Sequence, residues 1–274
     1  MSNAPASNPS AASASQEPPH CRLESPGSDV VVFRITRPAK LNAITRQILL
    51  SLTACLDDME RKGQRLLVIT AEGDRAFCAG TDLAETQQMP APARLDKSEM
   101  ARALLVRLSR SRVLSVAAIN GLAYGGGLEL AMACTFRVAA AHVKVSLPEI
   151  KLGILPAYAG TQFLPALVGA ARALDMMLTG RPVPADEALA MGLLNRVVPA
   201  GGDVLDAAVA LGREAVQFSP DAIAGIRECV AAAGAAVSDA GLAVEDRVVR
   251  AVSLTENARE GVAAFLEKRP AVFR

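Results

Sequence analysis

One segment in the middle of the chain constrains the fold more than any other: Val116-Ala117-Ala118-Ile119-Asn120-Gly121-Leu122-Ala123-Tyr124-Gly125-Gly126-Gly127-Leu128-Glu129-Leu130. An apolar run suited to a buried strand meets a glycine turn and then the start of a helix. Glycine adopts positive φ freely and lets another group approach the main chain closely. The first turn of a helix carries NH groups without intrahelical partners, and the helix dipole favours negative charge beside them. Glu129 falls in that same first turn. Two readings fit these residues, a tight turn before a buried helix and a site for a carbonyl oxygen that is gaining charge. A second carboxylate, Glu149, follows in Leu147-Pro148-Glu149 and adds capacity for proton transfer.

On either side of this segment, strand and helix patterns alternate. The spacing predicts strands over 29–36, 65–70, 115–119, 136–140 and 143–147. It predicts a helix over 44–61, carried by Ile48, Leu49, Leu52, Cys55, Leu56 and Met59. Strand, helix, strand order argues for an α/β layer fold. After about residue 161 helices dominate, at 171–178, 185–191, 204–217 and 220–233, with a last one near 255–268 expected to bury Val262 and Phe265. Residues 84–100 show no period and read as a loop, the kind of segment in which specificity often resides. The expected organisation is a disordered tail over 1–21, a core over 22–200 and a helical region over 201–274. No flexible linker separates the last two, so they are expected to pack together.

Charge and cysteine usage exclude several classes. With 29 basic and 28 acidic side chains spread along the chain and no tryptophan, neither a positive stripe nor a stacking surface for nucleic acid is present. Cys21, Cys55, Cys78, Cys134 and Cys229 are odd in number and without CxxC pairing. They read as free thiols in a reducing compartment, four of them in apolar surroundings and Cys21 exposed. The first twenty residues lack the basic start and apolar run of a secretory signal and the arginines of a transit peptide. No stretch reaches the length of a membrane span. An intracellular, cytoplasmic location without membrane attachment is the expectation. A serine peptidase would need a histidine base, and only His20 and His142 exist, neither tied by motif to a nucleophile. Neither a metal-ligand cluster nor a dinucleotide fingerprint is evident.

Several stretches together resemble the crotonase superfamily, the enoyl-CoA hydratase and isomerase fold. They are Arg37-Pro38-Ala39-Lys40-Leu41-Asn42-Ala43, Phe77-Cys78-Ala79-Gly80-Thr81-Asp82-Leu83, the Asn120 to Glu129 segment, and Pro148-Glu149-Ile150-Lys151-Leu152-Gly153-Ile154-Leu155-Pro156. Gly160-Thr161-Gln162, Leu178-Thr179-Gly180-Arg181, Val197-Val198-Pro199 and Phe265-Leu266-Glu267-Lys268-Arg269 follow in the same order. The resemblance runs from about Val30 to Phe273.

That resemblance implies a spiral of β-β-α units with a C-terminal helical region that builds a homotrimer or a dimer of trimers. It implies an acyl-CoA thioester as substrate, no separate cofactor and no metal. Carried onto this chain, the oxyanion donors are the amides of Thr81 and Gly126, and the acids are Glu129, for the attacking water, and Glu149, for the α-carbon proton. The implied activity is reversible, syn-type hydration of a 2-enoyl-CoA. A double-bond isomerase, dehydratase or decarboxylase of the same superfamily is the alternative, and a noncatalytic acyl-CoA scaffold a remote one. Lys40 and Lys268 match positions that approach CoA, with a solvated side chain as the other reading for each, and Ala79, Asp82 and Leu83 adjoin the CoA channel. The chain departs from the family pattern at Ala157-Tyr158-Ala159, which replaces a glycine-rich stretch, at Tyr124 and at Leu114. Tyr124 and Tyr158 are expected at the acyl pocket, Tyr158 either reshaping it, adding a phenolic hydrogen bond or only packing.

Overall fold

The computed structural model describes residues 19–233 and 238–274, so residues 1–18 of the expected tail lie outside the described residues. Two strands open the fold as an antiparallel pair, β1 (Cys21–Gly27) and β2 (Val30–Ile35), with Cys21 opposite Ile35. His20, within the span expected as a tail, is tied to the fold: the Thr36 amide donates to its carbonyl at 3.0 Å. Helix α1 (Arg46–Lys62) follows, capped by the Thr45 hydroxyl, which accepts from the Ile48 amide, and closed by Gly63 in the left-handed region. Its six expected apolar positions are all buried.

Three successive strand pairs then build the core. They are β3 (Leu66–Ala71) with β4 (Ala76–Cys78), β5 (Leu114–Ile119) with β6 (Leu122–Tyr124), and β7 (Phe136–Ala140) with β8 (Lys144–Ser146). Helices α2 (Leu83–Gln88) and α3 (Ala91–Arg110) follow the first pair, and α4 (Gly126–Ala133) follows the second. The first strand of each pair joins one sheet and the second joins another. Thus β3, β5 and β7 lie parallel and adjacent, and so do β4, β6 and β8. Each strand-strand-helix unit advances the chain by one strand in both sheets, which makes the spiral of the crotonase fold.

Helices α5 (Gly160–Val168) and α6 (Ala170–Thr179) lead to β9 (Val183–Pro184), which pairs antiparallel with β8 and completes a four-stranded sheet. Helix α7 (Ala185–Ala190) precedes β10 (Arg196–Val198), the sixth strand of the larger sheet, parallel to β7. The period of two along the strands separates two apolar layers. Val31, Phe33, Ile35, Leu67 and Ile69 face α1, whereas Val30, Val32, Leu66, Val68 and Val116 face Val204, Ala208 and Leu211 of α8 (Val204–Val216). Helix α8 therefore belongs to the layer that covers the sheet. The remaining helices are α9 (Pro220–Ala232), α10 (Asp239–Ser253) and α11 (Glu256–Glu267). Helix α9 packs on α10 and ties back to the core through Arg227, which donates to the Ser109 and Ser111 carbonyls.

Three expectations are corrected. Residues 84–100 are mostly helical, in α2 and the start of α3, because Asp82 caps α2 by accepting from the Glu85 amide and Pro90 precedes α3. The last helix leaves Val262 and Phe265 on the surface of the single chain, 63% and 82% exposed. Cys21 and Cys229 are both half-buried, whereas Cys55, Cys78 and Cys134 are buried.

Candidate active site

Two main-chain segments meet at the centre of the site. Residues 41–44 and 79–82 run side by side: the Ala79 amide donates to Leu41 O at 3.0 Å, the Ile44 amide to Gly80 O at 2.8 Å, and the Asp82 amide to Ile44 O at 2.9 Å. This alternation leaves the Thr81 amide pointing away from its neighbour strand. Asn42 anchors the first segment from a buried position, donating to the Glu72 and Ala76 carbonyls at 3.0 and 2.7 Å and accepting from the Arg37 amide at 2.9 Å.

The second segment is the glycine turn before α4. Gly125 has φ 51°, a conformation suited to glycine, and its amide donates to Ser146 O at 2.9 Å. Gly126 then opens α4, so its amide has no intrahelical acceptor. Among the described residues, neither the Thr81 nor the Gly126 amide donates to another protein atom. The two are close neighbours, since a Cβ placed on Gly126 would lie 3.6 Å from the Thr81 nitrogen. The turn and the loop are pressed together behind them, where a Cβ on Gly127 would lie 2.2 Å from Cys78 O.

Glu129 and Glu149 face this same space. The Glu129 carboxylate is 1% exposed, and its Oε1 accepts from the Tyr158 and Gly160 amides at 2.8 and 2.7 Å. Burial pushes its pKa up to about 7; the charge of Glu149 adds to the rise, and the two amide donors oppose it. Burial also raises Glu149, whose Oε2 is buried without a hydrogen-bond partner. A Cβ on Gly125 would lie 2.8 Å from Glu149 Oε1, so the carboxylate reaches the glycine turn itself. Two acids with raised pKa values beside unengaged amides are equipped for proton transfer next to a developing oxyanion.

A pocket of about 210 Å³ contains all four groups. Ala79, Thr81, Leu83, Gly126, Glu129, Glu149 and Tyr158, each singled out in the sequence, line it together. Tyr158 is buried, and its phenol lies 2.6 Å from the Thr81 hydroxyl, so of the three readings left open for it the packing-only one is excluded. Tyr124, Lys40, Asp82 and Lys268 are outside the lining. Asp82 is engaged structurally, as the α2 cap and in a 2.8 Å ion pair with Arg37. Lys40 and Lys268 are exposed. Thr86, Arg94, Lys97 and Ser98 also line the pocket, from α2 and α3. They escaped the sequence reading because they fall in the segment taken for a loop. A larger groove of about 840 Å³, beside Arg65, Arg110 and Ile223, contains none of the residues singled out as site residues.

Among the described residues no cluster of three or more His, Cys, Asp or Glu side chains is arranged to hold a metal ion, and no helix is long and apolar enough to cross a membrane. His142 Nε2 lies 3.2 Å from the Asp74 carbonyl, which accepts from the Nε2-protonated ring, and among the described residues no serine hydroxyl is its partner.

The sequence profile of the enoyl-CoA hydratase/isomerase family matches residues 26–274, nearly the whole described chain. The chain belongs to the enoyl-CoA hydratase/isomerase family. A probable enoyl-CoA hydratase of Bacillus subtilis is 38% identical over 249 residues, covering 89% of this chain and 95% of the relative. A crotonyl-CoA hydratase of Syntrophomonas wolfei is 35% identical over 255 residues, covering 89% and 94%. In three dimensions, the crystal structure of an enoyl-CoA hydratase from Bacillus anthracis superposes with TM-score 0.87 at 31% identity, covering 93% of this chain and 98% of that one. Membership in this enoyl-CoA hydratase/isomerase family accounts for the motif order, and the pocket geometry adds what the family name alone does not say about these residues.

Proposed function

We propose that this chain hydrates 2-enoyl-CoA thioesters, adding water reversibly across the conjugated double bond. The observation that carries the reading is the pair of unengaged amides, Thr81 and Gly126, in one pocket with Glu129 and Glu149. Attack of water at the β-carbon sends an electron pair through the α-carbon to the thioester oxygen. That oxygen becomes an enolate, which two preorganised NH groups stabilise; losing one such donor costs about 3 to 4 kcal/mol of transition-state stabilisation.

In this reading Glu129 orients the water and takes its proton, while Glu149 delivers a proton to the α-carbon on the same face. Glu129 is suited to the base role because the Tyr158 and Gly160 amides fix its Oε1, leaving Oε2 for the water. In the dehydration direction the two acids exchange roles. The thioester itself is the electron sink, so the reading requires no cofactor. Ala79 and Leu83 border the pantetheine path, Tyr158 the acyl side, and Lys40 and Lys268 approach the phosphate and adenine ends of CoA.

The proposal includes assembly as a homotrimer or a dimer of trimers in the cytoplasm. Support comes from apolar side chains exposed on the C-terminal helices, Val249, Val262, Phe265 and Leu266, and at Leu254 in the turn between α10 and α11, which a soluble single chain would leave in water. Support for a reducing compartment comes from five cysteines, all free.

The test is to incubate purified protein with crotonyl-CoA and follow loss of the enone absorbance. Hydration supports the proposal. No change at high enzyme concentration, with conversion of a 3-enoyl-CoA instead, rejects it in favour of an isomerase.

A further inference from the structure

The side-by-side segments 41–44 and 79–82 give the pocket a direction. Lys40 stands just before Leu41, at the Ala79 end, whereas Lys97 reaches Ile44 O at 3.2 Å, at the Asp82 end. Thr81, the proposed oxyanion donor, lies between them. If CoA leaves toward Lys40, the acyl chain runs the other way, toward the wall made by α2 and α3.

That wall is polar where a purely hydrocarbon chain would favour apolar side chains. Leu83, Leu152, Ile154 and Leu155 line the pocket, but so do Thr86, Arg94, Lys97 and Ser98. The Lys97 ammonium is buried and matched by Glu85 at 2.6 Å, with the Thr86 hydroxyl at 3.4 Å. Asp96, beside it in sequence, is turned to Arg46 at 2.6 Å. Arg94, one helical turn before Lys97, gives its Nε to the Met89 carbonyl at 2.9 Å and has no carboxylate within ion-pair distance among the described residues. The wall therefore presents one uncompensated guanidinium, fixed at Nε and with its terminal nitrogens available. A planar guanidinium with free NH groups is suited to grip a carboxylate through two hydrogen bonds.

We propose that Arg94 forms the distal end of the acyl site and selects 2-enoyl-CoA thioesters whose acyl chain ends in a carboxylate. The inference rests on the hydration activity proposed above and names its substrate class. Ser98, on the same helix and in the same pocket, supplies a further hydroxyl donor for that carboxylate.

The experiment compares two six-carbon substrates, the CoA monothioester of trans-hex-2-enedioic acid and trans-hex-2-enoyl-CoA, with wild type, Arg94→Gln and Arg94→Glu. Wild type is expected to favour the carboxylate-bearing substrate by about tenfold in kcat/KM, the scale of one charge-assisted pair at a solvent-accessible site. Arg94→Gln is expected to abolish that preference and Arg94→Glu to reverse it. Arg94 is exposed, so neither variant threatens the fold. Hydration of hexenoyl-CoA with no preference for the dioic thioester, or an unchanged ratio in Arg94→Gln, overturns the inference and leaves the hydratase reading standing. Turnover of neither substrate nor of crotonyl-CoA overturns both.

Discussion

Tyr158 and Thr81 share a 2.6 Å hydrogen bond between phenol and hydroxyl. The tyrosine does more than bridge to that loop. Its amide holds Glu129, and its ring lies against Gly126, where a Cβ would approach Cε2 to 2.9 Å. One residue thus touches the positions of both proposed donors and one proposed acid. Burial pushes the phenol up to about 12, so it stays protonated throughout the neutral range.

Tyr158→Phe keeps the ring and deletes the bond. A neutral hydrogen bond contributes about 1 kcal/mol, so turnover of an enoyl-CoA is expected to fall about fivefold. Thr81→Val should cost the same, and the double variant no more than either single one. Fully additive losses in that cycle would show that the bond does not hold the donor loop.

Removing a proton-transfer group should leave thioester binding intact and slow the chemistry. Glu129→Gln and Glu149→Gln are each expected to lower kcat by about 10² to 10⁴. Steady-state kinetics, with binding of a nonreactive acyl-CoA measured separately, checks the split. Turnover retained in either variant removes that residue from the mechanism.

The raised pKa of Glu129 also makes a prediction about stability. Below about 4.5, the ordinary glutamate value, both folded and unfolded chains hold the proton. Between there and about 7 only the folded chain holds it, so stability falls as pH rises through that window; above it the deficit levels off at about 3 kcal/mol. A glutamine accepts the same two amide hydrogens without ionising. Glu129→Gln is therefore expected to melt above wild type at pH 8, with the gap narrowing by pH 5. A difference that does not vary with pH contradicts this.

Gly127→Ala tests the contact behind the donors. The new methyl would sit 2.2 Å from Cys78 O and 2.7 Å from Cys78 Cβ, a main-chain collision that no rotamer relieves. Urea unfolding should show a loss of about 1 to 3 kcal/mol, accompanied by a fall in turnover because the loop and the turn are forced apart. Wild-type stability would mean the two segments separate easily.

Periodicity located the core well. The strand over 136–140 and the apolar stripe of α1 emerge as expected, since buried strands and one-sided helices leave strong patterns. The first turns of α3 did not, because its buried apolar positions, Ala101, Leu104, Leu105 and Leu108, all fall in its second half. Strand β1 was missed for a similar reason: it lies at the edge of its sheet, and no residue in it is fully buried. At the site, motif order pointed to Glu129, Glu149, Thr81 and Gly126 individually. What no local pattern carries is the capture of Glu129 by the Tyr158 and Gly160 amides, about thirty residues away, which depends on how the spiral closes. Arg94 stayed hidden because an unpaired arginine looks the same in sequence as a solvated one.

Because the two proposed donors are peptide nitrogens, on segments pressed together at Cys78 and Gly127, a codon change cannot delete them individually; it can only disturb the chain that carries them. The proposed selectivity has a different address, in the helical wall that bears Thr86, Arg94 and Ser98. Protein engineers who wish to redirect this scaffold can randomise that wall while leaving the enolate cradle untouched.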